Sequence, residues 1–147
     1  MAKETFKATS KLVEGLQVDN FVRDFTIRMD EPKSLGGTDT GMNPVEALLA
    51  ALGSCMMIVA AAFAKSQGID LQDCWVELEG DLDTDGFLKG KPGVRMGFQE
   101  IRYTPHFKTS SSPEDVEKFA AFMKARCPVS DVIMNETKVI QKDLVIE

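Results

Sequence analysis

The stretch that decides the fold is NPVEALLAALGSCMMIVAAAFAKS, Asn43 to Ser66. From Ala47 to Ala64 it holds no charged residue. That run is 18 residues long, at the short edge of the about 17–25 that a bilayer span requires. Much of it is Ala, Gly and Ser, and no basic cluster flanks it to set an orientation in a membrane. It therefore reads as a buried helix, with no membrane partner expected. Its start is well marked: Asn43 can cap, Pro44 suits the first helical position, and Glu46 stands at the third. The predicted helix runs to about Gln67 and stops at Gly68. Apolar on all sides, it must be covered on all sides. One small sheet does this poorly; a second subunit can do it.

Outward from this helix the chain alternates. Thr5–Leu12, LQVDN and RDFTIRMD precede it as strands, and Phe25, Ile27 and Met29 alternate with polar residues. The Gly/Pro-rich loop Glu31–Pro44 then leads into the helix. After Gly68, Asp73–Asp83 alternates as a strand, Thr84–Gly97 reads as a turn-rich link, and FQEIRYTPHF is another strand. Ser112 caps a second helix with Pro113 at its first position and acidic residues in its first turn. Val116, Phe119, Ala120 and Met123 recur on one face of that helix. Cys127, directly before Pro128, has the pattern of a cap on a further helical turn, and TKVIQKDLVIE is expected as a closing strand. The order β-β-β-α-β-β-α-α-β is an α+β pattern, and 147 residues fit one domain spanning 1–147.

Composition narrows the function classes. Net charge is −6 with no Lys/Arg cluster, which argues against nucleic acid as a partner. The first residues, MAKETFKATSK, lack an apolar signal region. Three widely spaced cysteines, Cys55, Cys74 and Cys127, suit a reducing cytoplasm better than a disulfide framework. With no CxxC and one histidine, His106, no metal site is expected.

The cysteines are the residues that could carry chemistry. A free thiol is only a few per cent thiolate at neutral pH. Cys55 lies about three turns into its helix, beyond the reach of the positive helix end, so a reactive Cys55 needs a cation beside it. As a packing residue it needs nothing, since cysteine is among the most buried residue types. Cys127 at a helix start would have its thiolate favoured by backbone N–H groups, with Arg126 adjacent in sequence, or it simply packs a helix junction. Cys74, beside Trp75, reads as core. Glu46 is either an ordinary helix-capping acid or a carboxylate that orients an arginine over Cys55. His106 is expected as a satisfied histidine rather than half of a Cys–His dyad.

Three features together resemble the family of osmotically inducible protein C (OsmC) and its relative, the organic hydroperoxide resistance protein. They are DEPKSLGGTDTGMNPVEALLAALGSC (Asp30–Cys55), CPVSDVI (Cys127–Ile133), and the order of strands and helices around them. The resemblance implies an OsmC-like fold: antiparallel sheets around long central apolar helices, in an intertwined homodimer. It implies a thiol-dependent peroxidase without a cofactor, acting on organic hydroperoxides. Cys55 would attack the peroxide and become a sulfenic acid, and Cys127 would resolve it as a disulfide. A dithiol, small or protein-bound, would reduce that disulfide.

Two positions depart from the family pattern. In its best-characterised branches the helper glutamate directly follows the Asn-Pro pair, whereas here Val45 holds that place and Glu46 follows, about 100° further round the helix. Their arginine lies in the first hairpin, where this chain has VEGLQ. Arg23 is the expected substitute and Arg28 the reserve. The departures leave a second reading from another class, a dimeric redox sensor or binder of small hydrophobic ligands with little turnover. A third is a structural role with inert thiols.

Overall fold

The computed structural model describes residues 2–147. The chain divides into two compact units, one ending at Ala50 and the other running from Ala51 to Glu147. The first holds an antiparallel sheet of β1 (Thr9–Glu14), β2 (Gln17–Val22) and β3 (Phe25–Met29), in that order. Gly15 turns the first hairpin at φ +55° and Arg23 turns the second at φ +54°, a backbone region that costs a non-glycine residue energy. β1 begins four residues later than Thr5, where the sequence reading started it.

α1 (Pro44–Phe63) follows the loop and spans the junction of the two units. A short 3-10 turn, Lys65–Gln67, extends it, and Gly68 ends it at φ +72°, as its sequence requires. α1 is long and apolar enough to cross a membrane by length and composition alone. In this chain it supplies the core of the second unit through Leu52, Met56, Val59 and Ala60.

In that unit β4 (Leu71–Asp81) pairs antiparallel with β5 (Glu100–Thr109), setting Cys74 opposite Phe107 and Trp75 opposite His106. The Thr84–Gly97 link, expected as turns only, contains α2 (Thr84–Lys89). Asp83 caps it by accepting the Asp85 N–H at 2.9 Å, and Gly90 ends it in the left-handed region. α3 (Pro113–Arg126) starts at Ser112, whose hydroxyl accepts the Asp115 N–H, and α4 (Pro128–Met134) starts at Cys127. Phe119 and Met123 of α3 are fully buried in the core with Met56 and Cys127. Burying each of the two α3 side chains contributes about 1.5–3 kcal/mol. α1 lies so close on β4 that a Cβ at Gly53 would stand 2.8 Å from the Leu78 side chain.

The closing strand is not formed: residues 136–147 carry no secondary structure and are exposed. A strand exists only through its ladder, and among the described residues this segment has no partner strand.

Candidate functional site

Cys55 and Cys127 come together in the second unit. Cys55 sits mid-way along α1, half-buried at the edge of the core; Cys127 is 1% exposed within it. Gly53 lets α1 settle on Val76 and Leu78 of β4. From Gly53, two residues of helix turn Cys55 by about 200°, away from the sheet. Cys127 directly follows α3 and ends that helix. Its N–H donates to the Lys124 carbonyl, and its carbonyl accepts the Asp131 N–H of α4 at 3.0 Å. Its Sγ accepts the Ser130 N–H at 3.3 Å. Both thiols are free.

Burial pushes the Cys127 thiol up, and the neighbouring Cys55 thiol pushes it further. The backbone N–H groups of Ser130 and Val129 pull the other way, as the capping pattern predicts, but they are outweighed. Cys127 therefore keeps its proton at neutral pH. Arg126, adjacent in sequence, lies over the Phe122 ring at 5.6 Å. Cys74 points inward from β4 against the core, its thiol raised by burial and by Asp73. His106 faces outward: it stacks on Trp75 with ring centroids 4.7 Å apart and meets the Glu77 carboxylate at 2.8 Å. It is a satisfied surface histidine, and no Cys–His dyad forms.

The other expected site residues belong to the first unit. Glu46 and Asn43 form a reciprocal capping box: the Asn43 N–H donates to Glu46 Oε2 at 2.8 Å, and the Glu46 N–H donates to Asn43 Oδ1 at 2.9 Å. Arg28 binds Asp19 through two hydrogen bonds, at 2.8 and 2.9 Å, which lowers the Asp19 carboxyl and raises the Arg28 guanidinium. Arg23 projects at the hairpin tip over the Phe25 ring at 5.1 Å. Among the described residues it has no carboxylate within ion-pairing distance.

Sequence reasoning missed Asp30. It is buried and accepts five hydrogen bonds, from the Glu31, Thr38 and Thr40 N–H groups and both threonine hydroxyls. Led by the Thr38 hydroxyl, these hold its carboxyl far below the usual carboxylate range. The loop folds onto the end of β3, and a side chain at Gly37 would collide with the Glu31 carbonyl. The signal was the Thr-Asp-Thr triplet eight to ten residues after an aspartate, across two glycines.

The family model for OsmC-like protein matches residues 37–142, which include both cysteines. The chain belongs to the OsmC-like protein family. The hydroperoxide reductase of Mycoplasma genitalium is 24% identical over 132 residues, covering 87% of this chain and 86% of its own. The uncharacterized protein YmaD of Bacillus subtilis is 39% identical over 112 residues, covering 73% and 70%. The crystal structure of an OsmC-like protein from Mycoplasma pneumoniae superposes with a TM-score of 0.80 at 22% identity, covering 90% of this chain and 89% of that one. An organic hydroperoxide resistance protein from Legionella pneumophila superposes with a TM-score of 0.65 at 22% identity, covering 90% and 91%. These likenesses establish an OsmC-like fold of antiparallel sheets and helices.

Proposed function

We propose that this OsmC-like protein is a cytoplasmic, thiol-dependent peroxidase that reduces organic hydroperoxides as a homodimer. The observation that carries the reading is the meeting of Cys55 and Cys127 from distant parts of the sequence, one half-exposed and the other buried. The peroxide-related names of the Mycoplasma genitalium and Legionella relatives support it.

Each residue then has a role. Cys55, the accessible thiol, attacks one peroxide oxygen as thiolate; the O–O bond breaks and the alcohol leaves. The sulfur becomes a sulfenic acid. Cys127 attacks that sulfur, water leaves, and a Cys55–Cys127 disulfide remains for a dithiol to reduce. An apolar surround favours organic peroxides over hydrogen peroxide. The cation that stabilises the thiolate and the leaving alkoxide is assigned to Arg23, because the Arg28 guanidinium is already paired with Asp19. Glu46 acts through the helix start that it caps. The exposed side of α1, with Leu48 and Ile58, and the unpaired apolar segment Val139–Ile146 support a second copy as the partner that covers them.

The test is direct. Reduced protein is treated with one equivalent of cumene hydroperoxide, free thiols are blocked, and the digest is searched for a Cys55–Cys127 linked peptide. Rapid, quantitative linkage that is lost in Cys55→Ser is expected. Thiols that stay free in folded protein would sink the reading and turn attention to hydrophobic ligands.

A further inference from the structure

We infer that Cys127 couples the redox state of the thiol pair to the order of α4 and the chain that follows it. The inference rests on the Cys55–Cys127 disulfide of the proposed function, but a thiol oxidant can make that bond without a peroxide.

One sulfur has two partners. Cys127 Sγ lies beside the Cys55 thiol and also accepts the Ser130 N–H at 3.3 Å, the side-chain cap of α4. α4 has seven residues, too few for a helix to hold by itself. Of its side chains only Ser130 is buried, at 8% exposure; Val129 and Ile133 are partly buried against the core. Pro128, Asp131, Val132 and Met134 are exposed, and a groove of about 350 Å³ opens along its flank at Lys124, Ser130, Asp131 and Met134. At its other end Asn135 donates to the Asp131 carbonyl and carboxylate, and residues 136–147 form no secondary structure within the chain. The order of α4 therefore depends strongly on its cap.

Oxidation takes that cap away. Two thiols and one hydroperoxide give a disulfide, an alcohol and water; two electrons and two protons leave the sulfurs. Bonded to Cys55 in the fixed dihedral of a disulfide, the Cys127 sulfur is reoriented and is a poorer acceptor. The Ser130 N–H loses its partner and the first turn frays. Removing an N-cap side chain shifts a helix equilibrium by about 2- to 30-fold, and a sulfur cap belongs at the lower end. The oxidised protein thus presents a loosened α4 and C-terminal segment, a surface by which a reductant can tell it from the reduced form.

Hydrogen exchange of the full chain, followed by mass spectrometry, tests this. Diamide-oxidised protein is expected to exchange the Ser130–Asn135 amides about 2- to 30-fold faster than reduced protein, with β4 and β5 amides unchanged. Reduced Cys127→Ala should match the oxidised form. Reduced Cys127→Ser, which keeps a capping oxygen, should stay protected and ignore diamide. Unchanged or slower α4 exchange in the oxidised wild type overturns the inference, and that comparison stands even if a variant misfolds. Failure of diamide to link the two cysteines overturns the inference and the peroxidase reading together. If diamide links them and loosens α4 while cumene hydroperoxide does neither, only the peroxidase reading falls.

Discussion

Cys127 is pulled two ways, by backbone donors that favour its thiolate and by burial and Cys55 that oppose it, and the opposing influences win. Iodoacetamide at pH 7.5 should therefore label Cys55 at least about tenfold faster than Cys127 in the reduced protein, as timed by peptide mass spectrometry. Equal rates would mean that the core around Cys127 is open. Asp30 lies at the opposite extreme, a buried carboxylate that accepts four hydrogen bonds at Oδ2 and one at Oδ1. Its folded-state pKa is depressed, so its contribution to stability is complete above the unfolded value of about 3.9. That contribution is lost progressively as pH falls below about 4 towards the folded pKa. Denaturant midpoints measured from pH 6 to pH 2.5 should fall in the wild type. In Asp30→Asn they should start lower and depend less on pH.

At the scale of elements, Glu46 has a measurable job in the capping box of α1. Glu46→Ala should cost about 0.5–2 kcal/mol of stability, read from urea denaturation. If capping is its whole contribution, kcat/KM for cumene hydroperoxide changes less than about threefold, while Arg23→Ala lowers it by about tenfold or more. A fall in both variants of similar size would place Glu46 in direct support of the thiolate. The two ends of α1 were legible because their signals are local: Asn43, Pro44 and Gly68 act within a turn of themselves. The same holds for Ser112 on α3 and Cys127 on α4. α2 was passed over because Gly86, Gly90, Pro92 and Gly93 crowd its surroundings, although Asp83 supplied a cap. TKVIQKDLVIE has the composition of a strand, but composition supplies no ladder partner. For the site, the family resemblance singled out Cys55 and Cys127, while their helix contexts alone left each open between packing and chemistry. The sequence did not show that the Asp30 loop is organised by one carboxylate, since that depends on threonines brought round by two glycines.

For the whole molecule, the distribution of hydrocarbon is uneven. Among the described residues every buried apolar side chain lies at or beyond Leu52, while the sheet before it exposes Leu12, Phe21, Phe25 and Ile27. Ile58, in the last third of the core helix, is 68% exposed. If the proposed dimer uses this face, Ile58→Lys should shift sedimentation from dimer towards monomer and lower the thermal midpoint. An unchanged sedimentation coefficient would move the partner surface elsewhere. The three-stranded sheet has a further, calorimetric consequence. A chain of this length that buries apolar surface normally unfolds with a heat-capacity increase of about 2 kcal/mol/K. A lone chain whose residues 2–50 fully bury one carboxylate and no apolar side chain, with Val18, Met29, Leu35 and Leu49 only partly covered, adds less than its share to that increase from a third of its length. Its stability curve would be broad and shallow, whereas association would restore the missing curvature.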